Sequence, residues 1–151
     1  MKIPLFFHLL GVVIWVGGMF FAYMALRPAA AQLLEPPQRL PLWQGTLRRF
    51  FSWVWLAVVM VLASGVWMFL HMGGFKGAPV HAHAMFLIGV AMAAIFAHVY
   101  FAPFRRLSAS VEAQEWKAGG TALGAIRRLV AINLTLGLVT IAIATAGAVL
   151  D

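Results

Sequence analysis

The pattern of hydrophobic and polar positions divides the chain into four long apolar runs with short polar connections between them. The runs cover about 3–26, 50–71, 80–102 and 127–150. Each is close to the ~20 residues that an α-helix needs to cross ~30 Å of hydrocarbon. The pattern therefore predicts an all-α membrane protein, a bundle of four transmembrane helices forming a single domain over 1–151.

The connections between the runs are rich in proline, glycine and charge. Residues 33–46 carry three prolines and are predicted to form a loop or a broken interfacial segment. The glycines before Pro79 predict a turn, and Pro79 itself suits the first turn of the next helix. Residues 109–118 are acidic early and basic late, which predicts a short helix on the cytoplasmic surface.

The first apolar run has a second interpretation as a signal peptide, because Ala29-Ala30-Ala31 resembles a cleavage site. The run is longer than the roughly 7–15 apolar residues of such peptides. Arg27 also interrupts it before the alanines. We therefore expect a retained transmembrane helix.

The composition indicates that most of this chain lies in a lipid bilayer. Apolar residues make up 64% and charged residues 10% of the sequence, against roughly half and a quarter in soluble domains. The net charge of +7 comes from short basic clusters rather than from a stripe interleaved with aromatic residues, which argues against a nucleic-acid partner. The chain has no cysteine, which excludes disulfides, iron–sulfur clusters and c-type haem attachment.

The basic residues are unequally divided between the two sides of the predicted bundle. Nine lysines and arginines lie in the first and third connections, and only Lys2 and Lys76 lie on the other side. Because cytoplasmic loops carry the excess of Lys and Arg, both termini and the second connection are predicted to face outward. In a Gram-negative bacterium this places the protein in the inner membrane with both termini in the periplasm.

Four of the five histidines lie at the predicted outer edge. His71, His81 and His83 fall within thirteen residues, and His8 lies just inside the outer boundary on the first helix. Ionisable or metal-binding side chains at such a depth are usually functional. His98 lies near the inner edge, where a hydrogen bond within the bundle is its expected role.

The histidines favour haem b, in an electron-transfer protein, as the first hypothesis. His8 and His83 are the preferred axial ligands, and His81 or His71 are the substitutes. His81 and His83 are about 200° apart around the helix axis, so that only one of them can point into the bundle. Residues on the His8 face would shape the haem pocket, namely Gly11, Trp15 and Gly18.

Copper is the alternative, because histidine and methionine suit both of its oxidation states. Its ligands would be His8, His71, His81, His83 and Met72. Haem is preferred because a copper relay would place His and Met through the full membrane depth, whereas the inner half has one histidine and a few methionines. A third hypothesis is an accessory subunit of a membrane respiratory complex.

The hypotheses imply different partners besides the lipid bilayer. A haem protein would serve a quinone or a porphyrin, as a membrane oxidoreductase of the quinone-linked or protoporphyrinogen-oxidase type. Both hypotheses are compatible with a periplasmic redox protein or copper-donor protein as a partner. Whether the chain is an enzyme and whether it forms a homo-oligomer are left open.

Short motifs near both ends of the chain resemble known families. Phe7-His8-Leu9-Leu10 and Trp15-Val16-Gly17-Gly18 look like the first helix of the copper-resistance D (CopD) family, to which the HemJ-type protoporphyrinogen oxidases are related. The stretch from Arg127 to Leu138 resembles the last CopD helix, with Asn133 where glutamate is common. His81-Ala82-His83 is similar to a His-Ala-Lys motif of the HemJ-type proteins, whose fourth-helix lysine has no counterpart here.

The resemblance implies roles for residues of the first helix. His8 would be a haem or copper ligand, and Trp15 and Gly18 would shape its pocket. CopD members are associated with copper uptake into the cytoplasm, and HemJ-type members with b-haem and porphyrin oxidation.

Overall fold

The computed structural model describes the backbone of residues 1–150 and the side chains of residues 1–147. All regular elements in this part of the chain are helices. In chain order they are α1 (Lys2–Phe21), a π-helical turn (Ala22–Leu26), α2 (Arg27–Leu33), α3 (Pro36–His71), α4 (Gly74–Gly77), α5 (Val80–Phe101), α6 (Pro103–Glu112) and α7 (Trp116–Leu150).

Four helical segments are long and apolar enough to cross a membrane. They are Lys2–Leu33, Pro36–His71, Val80–Glu112 and Trp116–Gly147. The prediction of an all-α bundle with four transmembrane helices is thus confirmed.

The first span is longer than its apolar run, because the helix does not end at Arg27-Pro28. It continues to Leu33 through the π-helical turn, where the Arg27 N–H donates to the carbonyl of Ala22, five residues earlier. A proline ring ordinarily clashes with the carbonyl four residues before it. The shift in hydrogen-bond register at the turn accommodates Pro28 within a continuing helix.

The segment expected to be a loop is also mostly helical. Helix α3 begins at Pro36 and runs through Pro41. Prolines are well tolerated in a first helical turn, where their missing N–H has no intrahelical partner to lose. Pro41 is the sixth residue of the helix and lies inside it, where it lacks the N–H that would donate to the carbonyl of Pro37. The connection shrinks to Leu34 and Glu35, in place of the predicted 33–46.

The predicted surface helix at 109–118 lies earlier in the chain. Helix α6 covers Pro103–Glu112, starting on a proline that suits the first helical position. Gln114 then adopts a positive φ of 57°, which reverses the chain into α7. Gly119 and Gly120 fall inside α7 rather than at the end of a surface helix.

The helices pack in two antiparallel pairs, α1 against α3 and α7 against α5 and α6. The start of α1 meets the end of α3, since the His8 ring lies beside Gly65. The start of α5 meets the end of α7, since the His81 ring lies beside Gly147. We call this side of the bundle the histidine end, and the opposite side, which carries Arg27 and Arg127, the arginine end.

The tightest packing lies toward the arginine end. Phe51 makes edge-to-face contacts with Phe96 and Phe104, at centroid distances of 5.4 and 5.0 Å. Leu40 and Leu107 beside them are almost fully buried. Large apolar side chains face outward along the whole bundle, among them Ile3, Phe6 and Leu70 at the histidine end and Phe20, Trp53 and Phe101 toward the arginine end.

Candidate functional site

His8 is held against α3 by two contacts to one ring nitrogen. Its Nδ1 lies 3.1 Å from the carbonyl oxygen of Val61 and 3.1 Å from the hydroxyl oxygen of Ser64. A carbonyl oxygen can only accept, so Nδ1 carries the hydrogen and donates it. The lone pair of the neutral ring is therefore on Nε2, and Nε2 is the atom with which His8 could bind a metal.

Ser64 reinforces this orientation. It is buried, and its hydroxyl donates to the carbonyls of Met60 and Val61 within its own helix. The oxygen that faces His8 is left as an acceptor for the Nδ1 hydrogen. Metal-binding histidines usually donate their second ring N–H to such an acceptor, which fixes the ring. Ser64 was not among the predicted site residues, because its partner His8 lies 56 residues away in the chain.

His83 lies in an aromatic cluster between α5 and α3. Its ring meets Phe69 edge-on at 5.1 Å and lies 6.1 Å from Phe75. Its Nδ1 is 3.1 Å from the carbonyl oxygen of Pro79, so Nε2 again carries the lone pair. Phe69 lies five to eight residues, or roughly 8–12 Å, further along α3 than Ser64 and Val61, which contact His8.

His81 points to a different neighbour. A Cβ on Gly147 would lie 2.5 Å from its Cγ, so the ring packs directly on the backbone of α7. His81 and His83 thus contact opposite partners, α7 and α3. Both rings therefore contact a neighbouring helix, in contrast to the expectation that only one of the two can point into the bundle. Helix α3 is the helix that His8 and His83 both contact.

His71 and Met72 lie at the exposed tip of α3. The His71 ring stacks on Trp67 at a centroid distance of 3.6 Å, and its Nδ1 is 3.0 Å from the Trp67 carbonyl oxygen. Met72 caps the helix and is partly exposed. Both side chains are placed to meet a molecule that approaches the histidine end.

Gly11, Trp15 and Gly18 line the seam between α1 and its neighbours. A Cβ on Gly11 would lie 2.7 Å from Val61 Cγ2 and 3.0 Å from the Ala57 carbonyl oxygen, and one on Gly18 would collide with the Phe50 ring. Trp15 is buried against Phe96. The glycines therefore let α3 approach α1 closely.

The predicted ligands lie at one end of the bundle without forming one compact cluster. Within the described part of the chain, no group of three or more His, Asp or Glu side chains is close enough to hold a metal ion. His98 is exposed on α5, far from the other four. A copper site here would need one or two histidines together with sulfur ligands.

A cavity at the arginine end was not anticipated from the sequence. It has a volume of about 270 Å³ and lies between α1, α3, α5 and α7. Its mouth carries Arg27, Arg39 and Arg127, and aromatic residues such as Trp43 and Phe51 form its walls. The arginines were interpreted only as an orientation signal, because no sequence pattern shows that three helices bring them to one opening.

The fold and these sites define a multi-pass membrane protein with candidate metal ligands at one end. A family model described as Copper resistance protein D matches residues 44–147, more than half of the chain. The chain therefore belongs to the copper resistance protein D family. No curated protein and no solved structure matches it.

The family match confirms the resemblance to the CopD family that the sequence motifs indicated. It covers only some of those motifs. The matched residues include the Arg127–Leu138 stretch but not α1, so the His8 and Trp15 motifs lie outside them. A relation to HemJ-type proteins is not among the findings. Haem b and electron transfer gain no support from the fold or the family, whereas a copper-related function does.

Proposed function

We propose that this protein binds copper ions as cargo at its histidine end and passes them into the membrane bundle. The family is that of copper resistance proteins. The observation that carries the proposal for the site is the His8 ring, whose Nδ1 hydrogen is donated to α3. Nε2 is thereby held in one orientation with its lone pair available.

Two methionines supply the sulfur ligands that such a site needs. Met60 and Met68 lie one helical turn before and after Ser64 on α3, on the face that contacts His8. A Cβ on Gly11 would lie 3.5 Å from Met60 Cβ, which places Met60 in the α1–α3 seam. Thioether and imidazole together favour Cu(I).

We further propose that the histidine end faces outward, in a bacterial inner membrane with both termini in the periplasm. The unequal distribution of Lys and Arg supports this orientation. The exposed His71 and Met72 would then receive copper from a periplasmic donor protein, ahead of the more deeply placed His8. The remaining predicted ligands, His81 and His83, would bind at the same end.

The test is copper uptake into proteoliposomes that contain the purified protein with its histidine end outward. His8→Ala is expected to lower Cu(I) uptake at least about tenfold, because it removes the oriented ligand. His98→Ala is the matched control, since it removes an exposed histidine at the other end of the bundle. Equal uptake by the wild type and His8→Ala would rule out the proposed site.

An absorption spectrum of the same preparation separates copper from the haem hypothesis. We expect no Soret band in protein purified from haem-replete cells. A Soret band that disappears in both His8→Ala and His83→Ala would instead support these residues as axial haem ligands.

A further inference from the structure

The cavity at the arginine end has an electrostatic character that does not suit a bare copper ion. Arg27, Arg39 and Arg127 line it, and its lining includes no Asp or Glu. Three like charges at one opening repel cations and attract anions. The opening therefore favours an anion over a cation.

The arginines are ordered while keeping donors for a ligand. The Arg27 guanidinium lies over the Tyr23 ring at 4.4 Å, and its Nε donates to the Tyr23 carbonyl at 3.2 Å. Arg39 donates one Nη1 hydrogen to the Leu34 carbonyl at 3.3 Å. A guanidinium has five N–H donors, so each of these side chains retains several that can bind a carboxylate or a phosphate.

The lining of the cavity also includes an amide with an unsatisfied oxygen. Asn133 is 3% exposed, and its Nδ2 donates to the carbonyl of Met92 at 3.2 Å. Its Oδ1 has no hydrogen-bond partner within the described structure. A buried acceptor left unpaired is costly, so a ligand that donates a hydrogen bond to this oxygen would gain affinity.

The remaining lining residues are apolar, and aromatic side chains such as Trp15, Phe51 and Phe96 are among them. Asn133 lies six residues beyond Arg127 on α7, which is about 9 Å along the helix axis. The volume of about 270 Å³ lies at the small end of the range for ligand pockets.

We propose that this cavity binds a small amphiphilic anion with three parts. A carboxylate or phosphate meets the arginines, an apolar ring system lies between the aromatic walls, and an O–H or N–H group donates to Asn133 Oδ1. This site is separate from the copper site, so a failure of either proposal leaves the other in place.

The probe is 4′-hydroxybiphenyl-4-carboxylate, a rigid anion with a hydroxyl group at its far end. Two matched probes each lack one recognised group: biphenyl-4-carboxylate lacks the hydroxyl, and the corresponding hydroxybiphenyl carboxamide lacks the charge. Binding is measured by equilibrium dialysis against the full chain in phosphatidylcholine nanodiscs. Empty nanodiscs give the amount that simply partitions into lipid.

The wild type is expected to bind the hydroxy acid about tenfold more tightly than either matched probe. Replacing Arg39 and Arg127 with glutamine should remove the preference for the acid over the amide. Asn133→Leu should remove the preference for the hydroxyl while the preference for the acid remains. Arg105→Gln, an exposed arginine outside the cavity lining, should retain both preferences.

Equal affinity for the three probes, or no binding above that of empty nanodiscs, would overturn the proposal. If Asn133→Leu does not fold, the affinities of the three probes for the wild type are sufficient to test the proposal. Nanodiscs containing phosphatidylglycerol test lipid as the source of the anion. Displacement of the probe by this lipid, with the hydroxyl preference unaffected by Asn133→Leu, would show a site for headgroups only and would also overturn it.

Discussion

The histidine end and the arginine end of this bundle differ both in packing and in chemistry. At the histidine end, His8 and His83 contact α3 and His81 contacts α7, in a part of the bundle with few fully buried side chains. At the arginine end, the aromatic core around Phe51 packs the helices tightly and encloses a cavity with a cationic mouth.

We infer from this difference that the arginine end stabilises the bundle and that the histidine end exchanges ligands. Dense packing fixes helices relative to each other, whereas sparse packing leaves segments that open at low free energy. The histidine end, with fewer buried contacts, suits a cargo ion that must enter and leave. The arginine end, where close packing holds the helices in fixed positions, suits a molecule that stays bound.

The largest expected effect concerns which side of the membrane each end faces. The chain has no cysteine, so a single introduced thiol reports its own location. We expect Phe75→Cys, in the exposed connection at the histidine end, to react in intact cells with a membrane-impermeant maleimide. Ala118→Cys, at the arginine end, should react only after the cells are opened. The reverse labelling would invert the proposed orientation and the direction of copper entry.

The contrast in packing is tested by paired phenylalanine substitutions. Phe51→Ala should lower the free energy of unfolding by about 2–4 kcal/mol, because it leaves a void in the core while lipid reduces the transfer contribution. Phe6→Ala, at an exposed position on α1, should change it by less than about 0.5 kcal/mol. Thermal unfolding in a mild detergent measures both. Similar losses for the two variants would contradict the uneven packing.

The seam between α1 and α3 is tested with two glycines of the same helix. Gly11→Ala should destabilise the protein by about 1–3 kcal/mol, since its Cβ would meet Val61 and the Ala57 backbone. A Cβ on Gly17 would have no neighbour within 4 Å, so Gly17→Ala should be neutral or stabilising by about 0.5–1 kcal/mol. If Gly17→Ala were the more damaging change, the helix pairing would be incorrect.

The smallest effect refines the histidine end. Ser64→Ala removes one of two acceptors for the His8 Nδ1 hydrogen and leaves the Val61 carbonyl in place. We expect Cu(I) affinity to fall about tenfold, at the low end for loss of an orienting group. Ser52→Ala is the control, because Ser52 is exposed and bonds only within its own helix. A chelator competition titration gives both affinities. An unchanged Cu(I) affinity in Ser64→Ala would show that Ser64 does not contribute to the copper site.

The number and class of the helices could be predicted because apolar runs of membrane length have few alternative structures. Helix ends were less predictable. The first helix was predicted to end at about residue 26 and residues 33–46 to form a loop, yet the chain stays helical through Pro28, after a π-helical turn, and through Pro41. The usual rule that proline ends a helix does not take account of a shift in hydrogen-bond register such as the π-helical turn at Ala22–Leu26.

The candidate site was predictable in residue type and less so in arrangement. The sequence placed four histidines at one edge, but their directions depend on which helix lies beside each ring, as the contact of His81 with Gly147 shows. Ser64 and Asn133 gain their roles from atoms more than forty residues away. The arginine-end cavity depends on the packing of four helices and has no linear motif.

The hydrogen bonds of His71 and His83 to carbonyls one turn earlier connect secondary structure to ligand chemistry. Each bond exists only while that turn stays helical, so the backbone selects the tautomer that the imidazole presents. Fraying of the α3 terminus or of the first turn of α5 would let the rings exchange which nitrogen is protonated. The affinity of these two histidines for a soft cation should therefore vary with the local winding of the helix ends.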